Sequence, residues 1–140
     1  MLIPQINGGV LQGPEVVYGS FYNPSGSTLP ADSVAQIDIS TSADGIRISQ
    51  PTTAGLICPV GIVHAAIATL TYGLVQMYGY RSTSKVLTTD TSQAAGLRLI
   101  AVNAQDYLAS ASAGDTTFVL VESHATSTST VSKKIFIKCM

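Results

Sequence analysis

The sequence predicts an all-β fold, a compact small barrel or sandwich with an extended Pro-rich N-terminal arm. Three observations predict it. Apolar runs of four to eight residues recur at regular intervals from Leu56 onward, the spacing of a barrel or sandwich. No window sustains the i, i+3, i+4, i+7 apolar stripe of a helix, and Ser92-Gln93-Ala94-Ala95 offers at most one turn before Gly96. The uncharged stretch from Gly55 to Gly79 is interrupted by Pro59, Gly61 and Gly73 and is rich in β-favouring residues. It reads as consecutive buried strands and not as a membrane span.

Five of the six prolines, Pro4, Pro14, Pro24, Pro30 and Pro51, fall in the first 51 residues, so residues 1–44 are expected to form an extended arm with short strands. Residues 45–140 then form the β-domain. Within the arm, Glu15 to Tyr18 and Val34 to Ile39 alternate, with Val34, Gln36 and Asp38 opposite Ala35, Ile37 and Ile39. Asn23-Pro24-Ser25-Gly26-Ser27 and Ser42-Ala43-Asp44-Gly45 are turn signals, and the Asp-Gly pair is a hairpin candidate. Ile46 and Ile48 share a face opposite Arg47 and Ser49.

The domain's strands are expected at Leu56 to Val60, Gly61 to Ala68, Gly73 to Tyr80, Lys85 to Thr88, Leu97 to Ala101, Tyr107 to Ala111, Thr117 to Ser123 and Ser132 to Cys139. The Gly73 strand is expected to be central, with Val75 and Met77 toward the core. Gln76 and Tyr78 are placed on its opposite face, where Gln76 tolerates alanine unless its amide satisfies a buried group. Leu99 and Ala101 alternate with Arg98 and Ile100, and Ile135 and Ile137 alternate with Lys134, Phe136 and Lys138. Ile100 and Phe136 therefore stand on otherwise polar faces, as residues of a subunit interface do. The tract Ser123 to Ser132 is too polar to pack a core and reads as a loop or an exposed strand edge.

Charged residues make up only 11% of the 140, and Ser and Thr about a fifth, so the surface is hydroxylated rather than ionic. A net charge of −1 opposes self-association little and attracts no polyanion; nucleic acid is not an expected partner. Cys58 and Cys139 have no metal-ligand spacing, and no disulfide is expected. The N-terminus lacks the basic and continuous apolar regions of a secretory signal, so a reducing cytosol is the expected place of synthesis.

No nucleophile elbow, phosphate loop, HExxH or dinucleotide motif is present, and the chain is expected not to be an enzyme and to hold no cofactor or metal. Glu122 and His124 would share a strand face as a metal half-site or acid–base pair, but a polar pair at a strand end is the favoured reading. His64, amid apolar neighbours, is a candidate base; a hydrogen-bonded core or interface histidine is favoured. Asp90 and Asp115 suit a hard cation or, more simply, Asx-turns. Tyr18, Phe21, Tyr22, Tyr72, Tyr78 and Tyr80 suit interface or core packing, or a sugar platform. The interface candidates are Tyr18, Phe21, Tyr22, Tyr78, Tyr80, Ile100 and Phe136.

The lead-in DGIRISQPTTAG, the following GIVHAAIATLTYGLVQMYGY and the closing AGDTTFVLVESHATSTSTVSKKIFIKCM together resemble head decoration (cement) proteins of tailed bacteriophages. The resemblance covers roughly the C-terminal two thirds, and His64 stands where a small residue is expected. It implies a β-domain on the outer face of a virion capsid, assembled in the host cytoplasm and bridging neighbouring copies of the major capsid protein, commonly as a homotrimer. Two other classes compete: a β-rich surface module that binds glycans through Tyr78, Tyr80 and the Thr-rich loops, and a small hydrolase using His64 or His124.

Overall fold

The computed structural model describes residues 15–40, 44–52, 58–88, 93–111, 118–123 and 128–139. Eleven strands form one sheet: β1 (Val17–Asn23), β2 (Val34–Ile37), β3 (Ile48–Ser49), β4 (Pro59–Val63), β5 (Thr71–Arg81), β6 (Lys85–Thr88), β7 (Arg98–Ala101), β8 (Leu108–Ser110), β9 (Phe118–Leu120), β10 (Ser129–Ser132) and β11 (Ile135–Lys138). The order is β10-β6-β8-β7-β9-β11-β5-β4-β2-β3, with β1 also on β5, and the sheet curls into a half-barrel. Every pair is antiparallel except β6 with β8. No helix is present among the described residues, and none is long and apolar enough to cross a membrane.

β5 is the centre, as its sequence predicts. One edge pairs with β1, from Asn23 opposite Thr71 to Val17 opposite Tyr78. It also carries β4 at Val75 and Gln76, and β11 from Tyr78 to Arg81. Residues 17–37 therefore belong to the sheet rather than to an arm, and Phe21, Leu29, Val34 and Ala35 are buried. Prolines in this region lie between strands, where a missing N–H breaks no ladder. Residues 1–14 of the expected arm lie outside the described residues.

Two apolar clusters fill the fold. The larger joins Val34, Ile62, Val86, Leu99, Leu108, Phe118, Leu120, Ile135 and Ile137; the second joins Phe21, Leu29, Ala35, Ile48, Val60, Val63, Ile67 and Val75. The successive residues Val34 and Ala35 enter different clusters, and so do Ile62 and Val63. β2 and β4 thus lie between the two cores. A strand buried on both faces has no position for a charge, which accounts for the absence of charge in β2 and β4.

The register of β4 depends on Gly61. Gln36 pairs with Pro59 and Ala35 with Gly61, leaving Val60 as a bulge. The bulge sends Val60 and Ile62, which a regular strand would place on one face, into different clusters. A Cβ on Gly61 would stand 1.9 Å from the Gln76 carbonyl oxygen, so no other residue fits without moving β5.

The Asn23 turn forms as predicted: its side-chain oxygen accepts from the Ser25 N–H and hydroxyl, and its amide donates to the Ser27 and Ile67 carbonyls. Asp44 accepts from the Ile46 and Arg47 N–H groups in the connection between the antiparallel β2 and β3. β10, in the Ser/Thr tract, is the exposed edge strand that the composition allowed.

Candidate functional site

Alternation fixes what faces outward on the β5-β11-β9-β7 side. Ile135, Ile137, Phe118, Leu120, Leu99 and Ala101 point into the larger core, which turns their neighbours out. Register then aligns four side chains across four strands: Tyr80 opposite Phe136, Phe136 opposite Val119, and Val119 opposite Arg98. Tyr78 lies beside the row, its ring 5.5 Å from that of Phe136 at 82°, an edge-to-face contact. Ile100, on the next outward position of β7, is 39% exposed, as is Tyr80. Lys138, opposite Tyr78, and Arg98 stand at the margins. The sheet thus brings together Tyr78, Tyr80, Ile100 and Phe136, four of the residues singled out in the sequence.

The other three separate. Tyr22 stacks obliquely on Tyr72 at 5.1 Å, on a face that also exposes Leu74. Tyr18 meets the edge of His64 at 5.2 Å. Phe21 is buried within its own chain: β1 turns Tyr18, Ser20 and Tyr22 to one side and Phe21 to the other, into the second core. A Cβ on Gly19 would come within 2.5 Å of the Phe21 ring, so the ring occupies the space that glycine leaves.

His64 is not a core histidine: the strand ends at Val63, and His64 is exposed in the bend that follows. It lines a cleft of about 350 Å³ with Tyr18, Asp32, Gln76, Tyr80, Arg81, Ser82 and Thr83. At the cleft's floor Arg81 is buried, and all three guanidinium nitrogens donate within the protein. Nε donates to the Thr83 carbonyl at 2.6 Å, Nη1 to Gln76 Oε1 at 3.3 Å, and Nη2 to Asp32 Oδ1 at 2.5 Å and the Val63 carbonyl at 3.1 Å. Asp32 Oδ1 also accepts the Thr83 hydroxyl at 2.8 Å. Asp32 itself sits at φ +62°, a left-handed conformation that aspartate tolerates better than most residues.

This arrangement is a clasp. Cation and carboxylate neutralise each other, and the donors tie β5 to the turn before β2, to the end of β4 and to the Thr83 turn. Gln76 completes it, its amide donating to the Tyr80 and Tyr78 carbonyls at 3.0 and 3.3 Å. Gln76 is therefore as buried as Val75, and the expected alanine tolerance gives way to the stated exception. The sequence reading missed the clasp, although one signal was present: Arg81 is the first charge after a run of uncharged residues from Ile48 to Tyr80, and a cation flanked by buried strands needs a partner.

Glu122 accepts the Lys134 N–H at 2.9 Å and pairs with the Lys134 ammonium at 3.6 Å, whereas His124, Asp90 and Asp115 lie outside the described residues. The Lys134 N–H, with the nearby lysine charges, holds the Glu122 carboxyl below its usual range. Both cysteines are free thiols, and burial pushes Cys139 up to about 12. Among the described residues no group of three His, Cys, Asp or Glu side chains is placed to hold a metal. No family model matches this chain, and no curated protein matches it either.

Proposed function

We propose that this protein is a non-enzymatic virion structural subunit that decorates the outer surface of a phage capsid and bridges neighbouring capsid subunits as a cyclic oligomer, in particular a trimer. The sequence resemblance supplies the capsid. The observation that carries the association is the outward row Tyr80, Phe136, Val119 with Tyr78 and Ile100 beside it. An aromatic centre with cations only at its margins has the composition of a protein–protein contact. The clasp supports the same reading, since it uses the charges of Arg81 and Asp32 to rigidify the fold.

Mass and stoichiometry of assembled particles test the proposal. The protein is expected at a fixed ratio to the major capsid protein and accessible to surface labelling; absence from particles, or labelling only after the shell is opened, overturns it. One observation favours glycan binding as a second reading: Tyr18, Tyr80 and His64 border the cleft beside Ser82 and Thr83 hydroxyls. Saturable binding on a glycan array, lost in Tyr80→Ala, would establish it.

A further inference from the structure

We propose that the cleft beside the clasp takes one ring of an uncharged saccharide and excludes acidic sugars, with the Asp32 carboxylate as the acceptor that sets this preference. This rests on the second reading above, whose ligand class it names, and it does not depend on the capsid.

The cleft holds unspent hydrogen-bonding capacity. Asp32 Oδ1 accepts from the Arg81 guanidinium and the Thr83 hydroxyl, which anchors the carboxylate. Its Oδ2 accepts from no described residue, although the side chain is 34% exposed and lines the cleft. The hydroxyls of Tyr18, Tyr80 and Ser82 and the ring nitrogens of His64, on the same lining, also have no hydrogen-bond partner among the described residues. The volume of about 350 Å³ lies at the small end of the roughly 300–1,000 Å³ of small-molecule sites, which suits a single sugar ring. Tyr78, which the sequence alone would include, does not line it.

The balance of donors and acceptors selects the ligand. A carboxylate only accepts, whereas phenols and hydroxyls both donate and accept. Sugar hydroxyls do both, so one ring can donate to Oδ2 and exchange hydrogen bonds with the Tyr and Ser hydroxyls around it. A bond to the carboxylate is charge-assisted and stronger than one between neutral groups. Because Oδ1 is already held, little ordering of Asp32 is left to oppose binding. The Tyr18 and His64 rings, in edge contact at 5.2 Å, add aromatic surface for the C–H face of a sugar. Charge rejects the acidic alternative. Among the described residues Arg81 is the only Lys or Arg on the lining, and all three of its guanidinium nitrogens already donate within the protein. An acidic sugar would meet Oδ2 with no free cation to offset the repulsion.

The test titrates the full, isotope-labelled chain with the methyl glycosides of glucose, galactose and mannose and with glucuronic and N-acetylneuraminic acids, following amide shifts by NMR. At least one neutral glycoside is expected to shift the amides of His64, Ser82 and Thr83 saturably, with a Kd of about 1–10 mM, while both acids bind at least ten-fold more weakly. Asp32→Asn should weaken the neutral glycoside about ten-fold and, by leaving the Arg81 charge uncompensated, remove its advantage over the acids. Tyr18→Ala, which leaves every hydrogen bond of the clasp in place, should also weaken binding about ten-fold with the circular dichroism unchanged. If none of these sugars shifts the cleft amides, the inference falls together with the second reading. If a sugar binds but the acids bind as tightly, or either variant binds as wild type does, the inference alone falls; neither result bears on the capsid reading.

Discussion

Replacing Arg81 by methionine keeps the side chain's apolar stem and removes every donor of the clasp. Of the buried acceptors it leaves, Gln76 Oε1 loses its donor, whereas the Val63 carbonyl keeps the Asp32 N–H at 3.0 Å. Each stranded buried acceptor costs about 1–3 kcal/mol. The Asp32 side chain is 34% exposed and regains water, so the ion pair itself adds only about 1 kcal/mol. The sum is about 2–4 kcal/mol, a large part of the ~5–15 kcal/mol that holds a domain together. For a chain of this size that corresponds to a Tm lower by about 7–14 °C. Urea unfolding followed by circular dichroism measures it, with Asp32→Asn and the double variant completing a cycle whose coupling is expected at about 1–2 kcal/mol. A loss below about 1 kcal/mol for Arg81→Met, or additivity within about 0.5 kcal/mol, would show that the clasp does not hold β5 and would refute the reasoning.

Val75→Asp is expected to lower stability by several kcal/mol, because Val75 is fully buried in the second core; roughly 4 kcal/mol is typical of an unpaired buried charge, read from the same urea curves. Gly61→Ala should yield little folded protein, since its Cβ would overlap the Gln76 carbonyl oxygen; an alanine variant with wild-type Tm would contradict the bulge. The carboxyl of Glu122 is held below its ordinary 4.5 when folded, so its contribution is present above that pH and lost as pH falls through the lower folded value. Glu122→Gln should therefore reduce stability at pH 7 and flatten the acid limb of a stability–pH titration; an unchanged limb would sink the assignment. With its thiol pushed up to about 12, Cys139 stays protonated at pH 8 and should resist iodoacetamide until urea unfolds the chain; rapid alkylation in the native state, seen by mass spectrometry, would count against its burial.

Strands with one solvent face were legible in the sequence. Alternation placed Leu99 and Ala101 inward and Ile100 outward, and did the same for Ile135 and Ile137 against Phe136, because each such strand separates core from water. β4 gave no such signal, since both its faces are buried and nothing alternates, and the alternation read across Val34 to Ile39 did not show that both faces of β2 are buried. Phe21 was grouped with tyrosines by composition, although the period-two pattern of β1 separates it from Tyr18 and Tyr22. His64 looked buried only because the strand end at Val63 is unmarked by glycine or proline. The Asp32–Arg81 pair joins residues 49 apart, which no local pattern reveals.

β11 occupies a singular place in the strand order. On one side of it lie β9, β7, β8, β6 and β10; on the other lie β5, β4, β2 and β3, with β1. Among the described residues the two groups share a continuous ladder only through Ile135–Lys138, which follow the other ten strands in chain order. During translation the strands up to β5 can assemble their own core, but β9 has no partner on its open side until β11 has been made. Closure is therefore a late, long-range step of the slow kind expected for non-local β pairing. Until it occurs, the facing edges of β9 and β5 are both available to other nascent chains.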